Sequence, residues 1–112
     1  LATQNFATPV VKLLSEIPAR LESQYQYQLL FEYMSTKPAK ELKAVLNFPD
    51  MRFKYNIDDS SYTVGMKPVP LQWIGEKQLE VIVDFPAGEG NYVLCFGFNN
   101  FYWEEGIKLK VK

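Results

Sequence analysis

The side chains best suited to binding a ligand lie in one segment near the C-terminus. This segment combines amides, aromatic rings and a carboxylate in six residues: Asn99, Asn100, Phe101, Tyr102, Trp103 and Glu104. Aromatic faces stack on sugar rings or fill pockets of a protein partner, while amides and carboxylates hydrogen-bond to hydroxyl groups. Three consecutive rings cannot all point inward from a regular strand, so we expect at least one to be exposed. The segment is a candidate ligand-binding loop, and the preferred interpretation at the level of its rings is that two of them turn inward and cap the core.

Two pairs of neighbouring acids could carry other chemistry. Asp58-Asp59 and Glu104-Glu105 offer the carboxylates that calcium binding or glycoside hydrolysis requires. Neighbouring acids on a strand or turn point apart, however, so the preferred interpretation is solvated acids in turns. We therefore predict neither a metal site nor a cofactor.

The residue types that are missing argue against the commonest enzymes. Without histidine, the chain lacks the usual proton shuttle at neutral pH and the base of ordinary serine or cysteine triads. Gly88 and Gly90 precede a strand pattern, whereas a phosphate-binding loop needs a helix N-terminus. Cys95 is the sole cysteine, which excludes an internal disulfide, and its apolar neighbours favour a packed thiol over a reactive one. We expect the chain not to be an enzyme.

Length and charge set the broad class of the protein. The 112 residues suffice for one core, so we predict an extended N-terminal segment over 1–8 and a single domain over 9–112. A net charge of −1 provides no broad electrostatic field for nucleic acid or an anionic membrane. No apolar run approaches the roughly 20 residues that cross a bilayer, so membrane insertion is not expected. Because the chain starts at Leu1 rather than methionine, we expect it to be a processed or excised piece.

Alternating side chains predict the strands that would hold these residues in place. The clearest stretch, residues 79–98, contains two strands separated by Pro86, Gly88 and Gly90. Its inward-facing residues would be Leu79, Val81, Val83 and Phe85, then Tyr92, Leu94, Phe96 and Phe98. A second stripe, suited to a core or a ligand-binding face, consists of Tyr25, Tyr27, Leu29, Phe31 and Tyr33. A third consists of Leu42, Ala44, Leu46 and Phe48.

The remaining segments are shorter. Residues 10–14 predict a first strand, with a short helix over 8–15 as the alternative. Further alternation predicts strands over 51–57, 62–66 and 107–112, the last with lysine at every outward position. Pro68 and Pro70 confine their segment to an edge or loop, and Trp73 is expected to plug one end of the core. Seven to eight short strands without a long helix predict an all-β protein, an antiparallel β-sandwich.

One corner carries a resemblance to known domains. The sequence from Phe85 to Leu94 resembles the corner before the sixth strand of immunoglobulin-like and fibronectin type III domains, where a tyrosine hydroxyl bonds back to the turn. Tyr92 occupies the matching place. Residues 39–53 also resemble the third strand and following turn of bacterial surface immunoglobulin-like repeats. Leu94 stands where the antibody pattern has cysteine, so the disulfide-linked branch is not expected.

The resemblance implies an immunoglobulin-like β-sandwich that binds other molecules without catalysing a reaction. The preferred hypothesis is a module that mediates protein-protein contacts, with a partner protein or with neighbouring domains of a parent chain. The alternative is a carbohydrate-binding module that uses Tyr102, Trp103 and Trp73 as a stacking platform. The same resemblance favours a secreted or cell-surface location, which the residues themselves do not fix.

Overall fold

The structure is a computed structural model that describes residues 10–49, 56–57, 60–61, 66–98 and 106–112, with backbone alone for 56–57 and 60–61. Within these ranges lie ten strands and a 3-10 helix, Ala39–Glu41. The strands are β1 (Val11–Leu13), β2 (Tyr27–Tyr33), β3 (Lys43–Asn47), β4 (Asn56–Ile57), β5 (Ser60–Ser61), β6 (Met66–Pro68), β7 (Leu71–Trp73), β8 (Gln78–Val83), β9 (Gly90–Gly97) and β10 (Ile107–Val111).

Eight of these strands form two antiparallel sheets. The first sheet has the strand order β1-β2-β8-β7, and the second has the order β10-β9-β3-β6. The remaining two strands, β4 and β5, pair only with each other. Apolar side chains of both sheets form one buried cluster, so the chain is an all-β antiparallel sandwich, as its alternating sequence predicts.

The two central strands of the first sheet show how alternation builds the core. Phe31 of β2 lies opposite Leu79 of β8, and both side chains are completely buried. Tyr25 departs from the predicted stripe, because it lies before β2 and is 54% exposed. Its backbone N–H donates to the Glu22 carbonyl in a turn, so the alternation begins only after this turn. The predicted core interpretation of this stripe therefore applies from residue 27 onward.

Aromatic rings join the two sheets through the middle of the sandwich. The Phe31 ring lies 4.8 Å from the Phe96 ring, centroid to centroid, and Phe85 lies 4.9 Å from Tyr92. Leu94 is fully buried in the same cluster. The predicted third stripe is confirmed, since all its members are buried: Leu42, Ala44, Leu46 and Phe48.

The predicted corner before β9 is present. The Tyr92 hydroxyl donates a 2.7 Å hydrogen bond to the Gly88 carbonyl, and the Gly88 N–H donates to the Phe85 carbonyl. Gly88 has φ of +87° and Gly90 has φ of +143°, which side chains disfavour. A Cβ atom on Gly90 would also lie 2.5 Å from Cγ of Pro49. Both glycines are therefore needed for the chain to turn into β9.

The N-terminal part of the described chain contacts both sheets in turn. Residues 11–13 form a strand, so the alternative of a helix over 8–15 is wrong for its described part. Beyond β1 the chain crosses over, and Leu21 forms a parallel bridge with Val111 of β10. The Lys112 N–H donates to the Leu21 carbonyl at 2.9 Å. Leu21 is buried, which explains why this turn contains an apolar residue.

Several predicted features lie outside the described residues. These are the N-terminal segment 1–8, most of the strand predicted over 51–57, and residues 62–65 of the strand predicted over 62–66. The next described strand is β6, which starts at Met66 and continues to Pro68. The final strand matches its prediction, because Lys108 and Lys110 are exposed while Leu109 and Val111 are buried.

Candidate functional site

The predicted ligand-binding loop lies outside the described residues. This applies to all six of its members, Asn99, Asn100, Phe101, Tyr102, Trp103 and Glu104, and to the acid pairs Asp58-Asp59 and Glu104-Glu105. Their proposed roles in binding stay predictions. Trp73, the third ring of the predicted carbohydrate platform, is described and lies in β7.

A cleft at one side of the sandwich is the candidate site among the described residues. It has a volume of about 420 Å³, which falls within the roughly 300–1,000 Å³ of typical ligand sites. We call it the edge cleft, and it is lined by Ala39, Lys40, Leu42, Lys43, Ala44, Val45, Pro68, Val69, Pro70, Leu71 and Trp73. These residues come from the 3-10 helix, from β3 and from the two edge strands β6 and β7.

The edge cleft forms where the chain changes sheets. Pro68 lies opposite Val45 in β6, and the following N–H, that of Val69, donates to the Ala44 carbonyl at 2.9 Å. Pro70 has no N–H to continue this ladder, and from Leu71 onward the chain pairs with β8 in the other sheet. Because β6 and β7 belong to different sheets, a gap opens between them. This confirms the prediction that the two prolines lie in an edge segment.

Trp73 and the segment before β3 form the walls of the edge cleft. The Trp73 ring packs edge-on against Tyr33, with 5.5 Å between centroids and 88° between planes. The Tyr33 hydroxyl donates a 2.6 Å hydrogen bond to the Lys37 carbonyl, just before the 3-10 helix. Tyr33 thus ties the indole on one wall to the segment that carries the opposite wall. Trp73 is half-buried and packs on the core, as its predicted position at a core end implies.

The charge at the edge cleft is positive. Lys40 and Lys43 are exposed and line it, and the described lining residues include no acid. A third lysine nearby, Lys67 of β6, forms a salt bridge with Asp84, which follows β8. That pair joins the two sheets and leaves Lys67 with its charge already balanced. Lys40 and Lys43 are therefore the cations that a ligand in the cleft would meet.

The edges of the sheets differ in how they discourage pairing with another chain. Strand β10 has outward lysines and is partly covered by Leu21, while β6 contains Pro68 and the inward-pointing Lys67. Strand β1 is only three residues long and places Lys12 outward. Strand β7 has the sequence Leu-Gln-Trp, without lysine or proline. It is as short as β1, but it is the one edge strand of the two four-stranded sheets without lysine or proline.

The backbone of β7 has groups available at that open edge. The Ile74 N–H donates to the Gln78 carbonyl at 2.9 Å, so residues 74 and 72 direct their backbone groups toward β8. By the same alternation, Leu71 and Trp73 direct their N–H and C=O groups away from β8. Their side chains point inward and line the edge cleft. The same two residues therefore offer backbone groups to an added strand and side chains to the interior of the edge cleft.

Among the described residues, we find no cluster of side chains that could bind a metal ion. Within them, no group of three or more Cys, Asp or Glu side chains is placed to hold an ion. Cys95 is half-buried on the outer face of β9, where its Sγ accepts a 3.4 Å contact from the Asn47 amide. A Cβ on Gly106 would lie 2.8 Å from this sulfur, so the glycine backbone packs closely over the thiol.

The sequence does not predict the edge cleft, although it predicts where its parts lie. It places Trp73 at a core end, and Pro68 and Pro70 in an edge segment or loop. The missing information is that residues 37–43 lie beside them, since the Tyr33–Trp73 ring contact and the pairing of β3 with β6 depend on the fold. The signal that could have indicated a change of sheet is the pair of prolines two residues apart, Pro68 and Pro70, between two short apolar segments.

No family model matches the chain, and comparisons with curated proteins and with solved structures likewise return no match. In the described ranges, no helix has the length and apolar character required to cross a membrane.

Proposed function

We propose that the chain is a noncatalytic immunoglobulin-like module that mediates protein-protein contacts within a larger chain or assembly. The strand order supports the immunoglobulin-like assignment. Strands β1, β2, β8 and β7 correspond to A, B, E and D of that fold, and β10, β9, β3 and β6 correspond to G, F, C and C′. The Tyr92–Gly88 hydrogen bond lies at the corner between strands E and F, where the tyrosine corner of such domains occurs.

The core supports a branch of this fold without the inter-sheet disulfide. Leu94 occupies the position two residues after the corner tyrosine and is fully buried. The Phe31–Phe96 ring pair joins strands β2 and β9, the strands that the disulfide connects in antibody domains. Apolar packing across the two sheets thus replaces a covalent link at this place in the core.

The observation that carries the proposed role in protein contacts is the edge cleft beside the open edge of β7. An apolar cleft can accept a polypeptide segment when the backbone groups on its border have no partner among the described residues, because the segment supplies both side chains and matching hydrogen bonds.

Site-specific photo-cross-linking in the cell that makes the full-length chain tests this proposal. A benzoylphenylalanine cross-linker replaces Lys40 at the edge cleft, Gln28 on the outer face of β2, or Lys108 on the outer face of β10. We expect discrete adducts of fixed protein mass from at least one position, identified by mass spectrometry. The absence of protein adducts from all three positions would contradict the proposal, as would turnover of a substrate by the purified chain.

A glycan panel separates the proposed function from the carbohydrate-binding alternative. If the chain is a protein-contact module, its tryptophan emission should not change when glycans are added. A saturable change with any glycan, lost in Trp103→Ala or Trp73→Ala, would instead favour the stacking platform of Tyr102, Trp103 and Trp73.

A further inference from the structure

We propose that the edge cleft binds an extended acidic segment of a partner protein, which adds to β7 as a new antiparallel strand. This inference rests on the proposed function and specifies its binding site and the chemistry of the partner. Three features of the described residues support it: the open edge of β7, the apolar interior of the cleft and the two lysines on its rim.

The edge of β7 can accept a strand, because one incoming segment could bond to its backbone and contact its side chains at the same time. Leu71 and Trp73 direct their N–H and C=O groups toward the open edge. Residues of an added strand that lie opposite them would complete these hydrogen bonds. The neighbouring edge strand β6 is unsuited to the same role, because Pro68 lacks an N–H and Lys67 is engaged with Asp84.

The interior of the edge cleft determines which side chains the segment inserts. Cross-strand partners share a face of the sheet, so the residues opposite Leu71 and Trp73 would also point inward. There they meet an apolar floor that includes the buried side chain of Val69. The segment should therefore have apolar residues at two alternate positions, and the residue between them should face solvent beside Gln72.

The rim of the edge cleft determines the charge of the segment. Lys40 and Lys43 are both exposed, and Lys67 nearby is paired with Asp84. Because the described lining contains two lysines and no acid, carboxylates that flank the apolar residues would meet positive charge there. A basic segment of the same apolar pattern would be repelled. Charge therefore selects an acidic partner, while the apolar pair supplies the anchor.

A set of synthetic peptides tests the proposal directly. The probe is a ten-residue peptide with two aspartates at each end and alternating valine and threonine between them, and its matched control has lysines in place of the aspartates. Trp73 is the reporter, in a Trp103→Phe background that leaves it the only tryptophan. We expect a saturable change in Trp73 emission with the acidic peptide and at least tenfold weaker binding of the basic one. Equal binding of both, or no saturable change up to about 1 mM peptide, overturns the proposal.

N-methylated peptides test whether a backbone ladder forms. Methylation of alternate amides leaves the side chains and charges unchanged but removes the N–H groups on one side of the strand. One of the two possible alternate sets should abolish binding, because it faces β7, and the other should be tolerated because it faces solvent. If both sets are tolerated, the peptide does not add to β7 as a strand.

Charge reversal at the rim tests the location of the site. Lys40→Glu/Lys43→Glu should weaken binding of the acidic peptide at least tenfold. Lys108→Glu/Lys110→Glu changes the net charge by the same amount, but on the outer face of β10. This variant should weaken binding of the acidic peptide less than threefold. Equal losses in the two variants would show nonspecific attraction and overturn the proposed site.

The outcomes also separate this inference from the proposed function. Cross-linked protein adducts from Gln28 or Lys108 but not from Lys40, with no peptide binding, would retain the protein-contact module and reject the edge cleft. The absence of adducts from all three positions would reject the module itself.

Discussion

Tyr92 shows how one side chain links the core to the path of the backbone. Its ring is fully buried between Phe85 and Phe48, and its hydroxyl reaches the Gly88 carbonyl in the turn before β9. The ring alone could pack in the core as phenylalanine does. The hydroxyl donates to the carbonyl of a half-buried glycine at a place where the backbone has left the sheet, and such a hydrogen bond contributes to stability.

Removing this hydroxyl should therefore destabilise the fold. We expect Tyr92→Phe to lower the free energy of unfolding by about 0.5–1.5 kcal/mol, the net contribution of a typical intramolecular hydrogen bond. Tyr25→Phe is the matched control, because Tyr25 is exposed, and its effect should stay within about 0.5 kcal/mol. Urea denaturation followed by circular dichroism measures both. A Tyr92→Phe variant as stable as the starting protein would contradict the structural role of the corner.

At the scale of elements, the edge strands show how the sandwich limits self-association. Strand β10 has alternating buried and exposed residues, with lysine at its exposed positions. In β6, Lys67 points inward at the edge and pairs with Asp84 across the two sheets. A charge at a sheet edge disfavours an added strand, because pairing would desolvate the charge or bring it beside another lysine.

Neutralising the lysines of β10 should promote association between copies. In Lys108→Val/Lys110→Val we expect a concentration-dependent rise in apparent mass, with the free energy of unfolding changed by less than about 0.5 kcal/mol. Gln28→Val/Gln78→Val is the control, because these exposed positions lie on the central strands β2 and β8. Sedimentation velocity distinguishes the two. If both variants associate equally, added surface hydrophobicity explains the effect and the edge has no special role.

Elements also differ in how far the sequence predicts them. The alternation in β2, β8 and β9 predicts their buried faces, because each is long enough for the two-residue repeat to show and each is central in its sheet. Tyr25 belongs to the repeat in the sequence but not in the structure, since its hydrogen bond to Glu22 holds it in a turn before the strand starts. The edge cleft depends on which strands become neighbours, and a pattern within one segment does not contain that information.

At the scale of the whole molecule, two sheets must be held face to face without a covalent link. Each sheet is stabilised by its own ladder of hydrogen bonds, so contact between the sheets depends on side chains that cross the interior. The Phe31–Phe96 pair is the central contact of this kind, and the Lys67–Asp84 pair is its counterpart at one side. Water still reaches both side chains of this half-buried ion pair, so it should add little stability and the ring pair should carry more of the coupling between the sheets.

A double-mutant cycle on the two rings measures that coupling. Phe31→Leu and Phe96→Leu each shorten one side of the contact while keeping an apolar side chain, and the double variant completes the cycle. We expect a coupling free energy of about 0.5–1.5 kcal/mol, the range for aromatic pairs beyond their buried area. Phe31→Leu with Phe48→Leu is the control cycle, because the Phe48 ring packs on Tyr92, and its coupling should be below about 0.5 kcal/mol. Similar coupling free energies in both cycles would mean that packing throughout the core, rather than this one ring contact, holds the sheets together. A larger value for the Phe31–Phe96 cycle alone would assign the joining of the sheets to this contact, because both cycles remove core volume and only the first removes a ring pair that spans the sheets.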